Sequence, residues 1–501
     1  MASTFLCAIP LFAAFVLYRL SLSIFRRRLP FPPGPKRLPL IGNLWNVPRT
    51  ADYPWRTYAK WASMYGDVLY LDIPGNPTVV INSAKAAEDL FEKRSGNYSD
   101  RPDFTMMKLS GWDYNFAFMR YSNRWRTHRR MFHQYFQPRA VPEYYPAQLK
   151  ATSVLLKQLL KSPDALAHHI RHHTGSVIMK TVYGYDVDPN GDQFVDLVNR
   201  AQESIHMVGN VGSFLVDYIP SLKYLPRWMP GARFLSLARA WSKDVEEMAE
   251  APFKYTAESV AKGIAPPSFV SENLTTKTGV PDNAEYLKIV RDTAAVAFSD
   301  LSPRRKTVSA ILSAILAFIL YPEVQAKAQA EVDAVIGHGI RLPDFDDRPQ
   351  MPYIDAIVLE TLRWNPVAPL AVAHRSMKED VYKGYHIPAG MAMLHDEKYY
   401  PNPLAFDPDR FIPKDGKEAQ PEPTFAFGFG RRICPGRHLA QNTTWIAIAS
   451  MASTLSFSKA LDSEGCIIEP SSTYTSEFVS FPLPFECRIK PRSAAAQALL
   501  D

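Results

Sequence analysis

The ten residues Phe427–Gly436 read FGFGRRICPG, and five of them, Phe427, Gly430, Arg432, Cys434 and Gly436, fit the pattern F-x-x-G-x-R-x-C-x-G. Each fixed position has a physical task. Glycines let the backbone approach a flat macrocycle, Phe427 shields the sulfur, and Arg432 can pair with a carboxylate. A thiolate held in such a loop is a strong axial ligand for haem iron. The remaining cysteines, Cys7, Cys466 and Cys487, are too few and too scattered for a disulfide framework in a chain of 501 residues. With 47% hydrophobic and 21% charged residues, the chain has ample material for a globular core, which excludes a disordered tail or a fibre. Its 57 basic and 50 acidic residues leave a net charge of +7, dispersed along the sequence, so nucleic acid is not an expected partner.

Working outward, Glu360-Thr-Leu-Arg363 gives E-x-x-R, and FDPDRF at Phe406–Phe411 supplies Pro408, Arg410 and Phe411 as P-x-R-F. Alone, Glu360 and Arg363 would read as an exposed helical i,i+3 pair. Together with the cysteine loop, these segments make the chain resemble the cytochrome P450 family of haem-thiolate monooxygenases, in its fungal microsomal, secondary-metabolite branch. The segments VDYIPSLKYLPRWMPGA, LRWNPVAPLAVAHR and IKPRS carry the fungal likeness. The resemblance implies a mainly α fold with a small β-sheet region and Cys434 as the axial ligand of haem b. It also implies a buried structural triad of Glu360, Arg363 and Arg410. Trp125 and Arg129 stand four apart on one helix face, and by resemblance they reach the haem propionates together with His374, Arg375 and Arg432. The implied reaction inserts one oxygen atom from O2 into a small hydrophobic substrate such as a terpenoid. Electrons would come from NADPH through a cytochrome P450 reductase.

Two segments depart from the family pattern. The central helix normally carries A-G-x-[DE]-T-T, whose acid and alcohol organise proton delivery. Here DTAAVAFS (Asp292–Ser299) and TVSAILSAILAFIL (from Thr307) flank DLSPRRK, which puts Arg305 at the acid position and Lys306 at the alcohol position. Thr307 is left as a weak catalytic candidate, and Pro303 predicts a kink or a split helix. After Ile387–Gly390 the chain runs directly from Met391 to Glu397, as if roughly ten residues and a sheet strand were missing. Misplaced coding-segment boundaries and a haem-binding relative with impaired oxygen activation both account for these departures.

At the amino terminus, residues 5–25 read FLCAIPLFAAFVLYRLSLSIF, the length of a membrane-crossing helix, followed by Arg26, Arg27 and Arg28. The expected organisation is an anchor with a basic stop over 1–28, a proline-rich spacer over 29–40, and one haem domain over 41–501. The implied setting is a single pass in the endoplasmic reticulum membrane, with membrane lipid as a contact and the catalytic domain cytosolic. The sequons at Asn97, Asn273 and Asn442 would then stay unglycosylated.

Apolar alternation on either side of Pro74–Asn76 predicts a hairpin, and helical periods recur over Ser83–Lys93, Asn123–Phe136, Gln148–Lys161, Ala165–Tyr183, Trp241–Lys262, Glu323–Ile336 and Tyr353–Arg363. Strands are expected at Lys383–Pro388 and in the closing SEFVSFPLPFECRIK. His168, His169, His172 and His173 have a spacing that could bind zinc, but no companion acid completes a site, so a solvated helix face is expected there.

Overall fold

The computed structural model describes residues 29–501 apart from 49–52, 190, 210–212, 276–282, 301–305, 389–390, 395–399, 415 and 417. Residues 5–25, expected to form the anchor, lie outside the described residues. Among the described residues no single helix is long and apolar enough to cross a membrane. The described residues fall into two compact units, the first within 29–102, 373–394 and 429–431 and the second over the rest.

The first unit is built on a four-stranded sheet whose strands lie in the order Val68–Leu71 (β1), Thr78–Ile81 (β2), Met391–Leu394 (β6) and His374–Arg375 (β3). Strands β1 (Val68–Leu71) and β2 (Thr78–Ile81) form the predicted antiparallel hairpin, with Val68 opposite Ile81 and Leu71 opposite Thr78. VLYL and TVVI are buried throughout; continuous β-branched and aromatic runs of this kind suit strands covered on both faces. β3 is the short pair His374–Arg375, and β4 (Asp380–Tyr382) and β5 (Tyr385–Ile387) make a separate hairpin across Lys383-Gly384.

Two expectations change here. The strand thought missing after Gly390 is present as β6 (Met391–Leu394), paired in parallel with β2 and antiparallel to β3. The free edge of β2 offers a ladder of unpaired backbone groups, and the uncharged run MAML can complete it without its own hairpin. The proline-rich stretch is also more than a spacer. The Tyr70 N–H donates to the Pro33 carbonyl at 2.9 Å, the His386 N–H donates to the Pro30 carbonyl at 2.8 Å, and Phe31 stacks on Tyr70 at 4.5 Å.

The second unit is mostly helical. Helix α1 (Pro54–Tyr65) belongs to the first unit; here stand α2 (Asn123–Phe136), α3 (Tyr145–Lys161), α4 (Leu166–Tyr183), α5 (Gln193–Val208) and α6 (Arg233–Ala261). They are followed by α7 (Ala284–Asp300), α8 (Lys306–Leu320), α9 (Pro322–Ile336), α10 (Pro352–Trp364) and α11 (Arg437–Thr454). The central helix is thus described as two pieces, α7 and α8, with 301–305 between them outside the described residues. Predicted helices agree in place, with two adjustments: Ser83–Lys93 is a short α-turn followed by a π-helical turn over Glu88–Lys93, and α6 begins well before Trp241. Of the closing segment, only Cys487–Pro491 (β8) is a strand; its partner β7 (Leu455–Leu461) pairs Phe457 with Ile489.

The histidine cluster is not a solvated face. His168 is exposed, but His169, His172 and His173 are buried, because α4 is enclosed by α3, α8 and the short helix Phe269–Leu274. His173 Nε2 lies 3.1 Å from Thr152 Oγ1, and burial pulls its pKa down to about 3, so it is a neutral core residue. No cluster of metal-ligating side chains occurs among the described residues.

Candidate functional site

The cysteine loop is held by the backbone before it is held by any side chain. A 3₁₀ turn over Thr424–Phe427 leads into it, and α11 starts at Arg437 immediately beyond. The Cys434 N–H donates to the Phe427 carbonyl at 2.8 Å, which closes the loop and fixes the direction of Cβ. Arg437 Nη1 donates to the Cys434 carbonyl at 3.4 Å. Cys434 is a free, half-buried thiol, and Phe427 is half-buried beside the α8–α11 core.

Helix α2 supplies the next layer. Ser122 caps it, its hydroxyl accepting from the Trp125 N–H, and Trp125, His128, Phe132 and Phe136 form its buried stripe. The buried Arg432 lies over the Trp125 ring at 4.2 Å and donates to the Phe116 and Met119 carbonyls at 3.1 and 2.9 Å. Arg129, one turn beyond Trp125, has no carboxylate partner among the described residues. Burial pulls its pKa down to about 10, and the charge of Cys434 acts in the opposite direction.

These observations suit haem. A half-buried thiol, a half-buried guanidinium with no carboxylate and a second guanidinium on a tryptophan face form a donor set for a metal-centred macrocycle carrying carboxylates. Gly436 adds to the fit. A Cβ there would meet protein no nearer than Phe132 at 3.9 Å, so neighbouring side chains do not by themselves demand glycine at this position.

In the first unit, His374 Nδ1 lies 2.7 Å from the Tyr98 carbonyl and its ring stacks on Phe91 at 4.5 Å, while the Arg375 N–H donates to the Asp100 carbonyl. Gly430 is explained by protein alone. Its φ is +53°, and a Cβ would lie 2.2 Å from the Phe91 carbonyl oxygen, so a close backbone approach and not a macrocycle requires glycine here.

The three charges that the resemblance groups, Glu360, Arg363 and Arg410, meet in one buried cluster. Glu360 accepts from Arg363 Nε and Nη2 at 2.6 and 2.9 Å and from Arg410 Nε at 3.1–3.2 Å, and the Asp407 N–H adds a bond of 2.6 Å. The three side chains are 0%, 3% and 4% exposed. Leftover guanidinium donors reach the Pro401, Pro403 and Ala405 carbonyls, so the residues after α10 are pinned to it.

The chain belongs to the cytochrome P450 family. A sequence model described as Cytochrome P450 matches residues 32–486. The chain is 40% identical over 97% of its length to Cytochrome P450 monooxygenase 208 of Postia placenta, covering 96% of that protein. It is 41% identical to Cytochrome P450 monooxygenase ARMGADRAFT_974139 of Armillaria gallica, with 95% and 94% of the two chains covered. It is 38% identical to the Tryptamine 4-monooxygenase of Psilocybe cyanescens, with 93% and 94% covered. These relatives are fungal P450 monooxygenases.

The central helix of this P450 is where pattern and chain part. Arg305 lies outside the described residues, and Lys306 opens α8. Thr307 is buried and lines a void of about 10 Å³ with Thr174, Val177, Leu439 and Thr443, about the space of one water. Ser299 Oγ is engaged with the Val296 carbonyl at 3.0 Å. Sequence reasoning missed the polar site one turn and more upstream. Asp292, 1% exposed, receives Arg291 Nη2 at 2.7 Å and stands 3.8 Å from the buried His128 Nε2. Burial alone would raise the Asp292 pKa, but His128 and Arg291 more than offset it and hold the carboxyl below its usual value. The available signal was an acid at the head of the otherwise apolar TAAVAF.

Proposed function

We propose that this P450 is a membrane-anchored haem-thiolate monooxygenase with Cys434 as the iron ligand. The observation that carries the reading is the free Cys434 thiol in its backbone-closed loop, within the electrostatic reach of Arg129, which has no carboxylate partner among the described residues. Bound haem would supply dioxygen reduction and oxygen-atom insertion. The chain's residues do the rest: Arg129 and Arg432 receive propionates, Trp125 supports the Arg432 guanidinium, and the Glu360–Arg363–Arg410 cluster stiffens the surrounding core. His374 and Arg375 are assigned to the same propionates by resemblance. NADPH electrons arrive through a partner reductase, and residues 5–25 hold the protein in the endoplasmic reticulum membrane. The substrate class we assign is a small hydrophobic molecule of fungal secondary metabolism; one relative is named for tryptamine, an amine on an apolar indole body.

A second reading is favoured by one observation, the Arg305 and Lys306 pair at the positions of the family's acid and alcohol. On that reading haem binds and oxygen activation is slow. Two measurements decide between them. The reduced, carbon monoxide-treated full chain should give the thiolate-type Soret band, whose absence defeats both readings. NADPH consumption with reductase, divided between peroxide and organic product, then separates an efficient oxygenase from an uncoupled one.

A further inference from the structure

A cavity of about 430 Å³ opens in the second unit between the start of α3, the middle of α4 and the short helix Phe269–Leu274. Its lining includes none of the residues assigned above to haem. The volume falls in the range of small-molecule sites. Ala147, Ala151, Val154 and Phe269 make apolar walls, and two features make it more than a packing gap. The first is His172 in the lining: it is 8% exposed, its Nε2 lies 3.5 Å from Ser176 Oγ, and the ring also bonds the Val187 backbone, so a held polar group stands in the wall. Burial lowers its pKa, so at neutral pH this ring is uncharged. The second is the rim. Glu143 and Glu272 both line the cavity and neither pairs with a cation among the described residues, and Tyr144 stands with them. Burial and then the charge of Glu143 raise the Glu272 pKa; burial and then both carboxylates raise that of the Tyr144 phenol. On the opposite side Lys150 and Lys180 share Asp186 at 3.0 and 2.6 Å, so those charges are already engaged.

We propose that this cavity is a second ligand site that takes a small organic cation, its ammonium between Glu143, Glu272 and the Tyr144 ring and its apolar body against Ala151 and Phe269. The acids lower the energy of a positive charge that neither can neutralise within the described protein, and an aromatic face adds cation–π attraction.

The test uses the haem-loaded full chain with its iron saturated by an azole, and benzyltrimethylammonium as probe, because a quaternary nitrogen has no lone pair for iron. Isothermal titration should find one saturable site in the presence of the azole. The double variant Glu143→Gln/Glu272→Gln should weaken it by about tenfold, and Ala151→Trp should abolish it by filling the cavity, with the reduced carbon monoxide spectrum unchanged in both. Should Ala151→Trp fail to fold, the glutamine pair still decides. Loss of binding when the azole is added, indifference to the glutamine pair, or equal affinity for phenylpropionate would each overturn the proposal.

Discussion

Two regions of the second unit respond differently to the same question, whether a motif in the sequence is backed by its surroundings. Around Glu360 every charged group has hydrogen-bond partners: one carboxylate takes two guanidinium groups and a backbone N–H, and the spare guanidinium donors end on carbonyls. Along the central helix the ends of the motif are ordinary, yet the positions between them carry Arg305 and Lys306. The difference teaches that the means of holding a haem and the means of using it are separable. The first is written in buried ion pairs that punish any change. The second rests on a few groups in the middle of the central helix.

The largest effect should come at the cysteine. Cys434→Ala is expected to abolish the thiolate spectrum entirely, because Cys466 is exposed on a turn and burial pushes the Cys487 thiol up to about 11, away from the thiolate form. Retention of that spectrum in Cys434→Ala, with loss in Cys487→Ala, would move the ligand elsewhere and dissolve the comparison. Next comes the central helix. Exchanging Asp300–Lys306 for GGADT should raise coupled product formation by about 10² to 10⁴, the usual worth of a positioned proton donor. The measurement is product against peroxide per NADPH. Tight coupling in the unaltered chain would show that Thr307 already performs this task, since the Ser299 hydroxyl is bonded to its own helix. Glu360→Gln follows. It leaves two guanidinium groups buried beside a neutral amide, a change expected to cost about 3–5 kcal/mol. Thermal melting of the haem-loaded protein reads it, and an unchanged midpoint would mean that the cluster carries no structural load.

How much of this was legible beforehand follows the same division. The Glu360–Arg363–Arg410 cluster was readable only through the family resemblance, because the i,i+3 spacing of Glu360 and Arg363 by itself reads as an exposed helical pair. Helix α2 was readable from the stripe Trp125, His128, Phe132 and Phe136. Helix α11 was not, since TTWIAIASMAST is buried on every side and an enclosed helix shows no polar face to set a period. Strand β6 was misjudged because its existence depends on the edge of β2, some three hundred residues earlier, and not on MAML itself. The histidines of α4 misled for a related reason: a polar residue type was read as a solvated face, while neighbouring helices enclose three of the four. Asp292 and His128 find each other only through the packing of α2 on α7.

A third buried acid sharpens the comparison with the smallest expected effect. Asp217 is 6% exposed and accepts the Met106 N–H at 2.8 Å and a bond from the Thr105 backbone, at the start of the short helix Thr105–Leu109. Burial raises its pKa from 3.8 to about 6, only partly opposed by those two backbone bonds. The sign is opposite to that of Asp292. A carboxyl whose folded pKa exceeds its unfolded one binds its proton more tightly in the native state, so its contribution to stability grows as pH falls from about 6 to about 4 and is lost as pH rises. A difference of about two pKa units corresponds to at most about 3 kcal/mol. The wild-type protein should therefore lose stability relative to Asp217→Asn between pH 4 and pH 7, since the amide keeps an acceptor oxygen for Met106 but never ionises. Urea unfolding of both proteins across that range isolates the term, because acid effects from the other carboxylates cancel in the difference. A gap between the two proteins that stays constant with pH would show that Asp217 has the same pKa folded as unfolded, its backbone bonds offsetting burial in full. The Thr105–Leu109 helix start would then be a stronger carboxylate site than its two backbone bonds suggest.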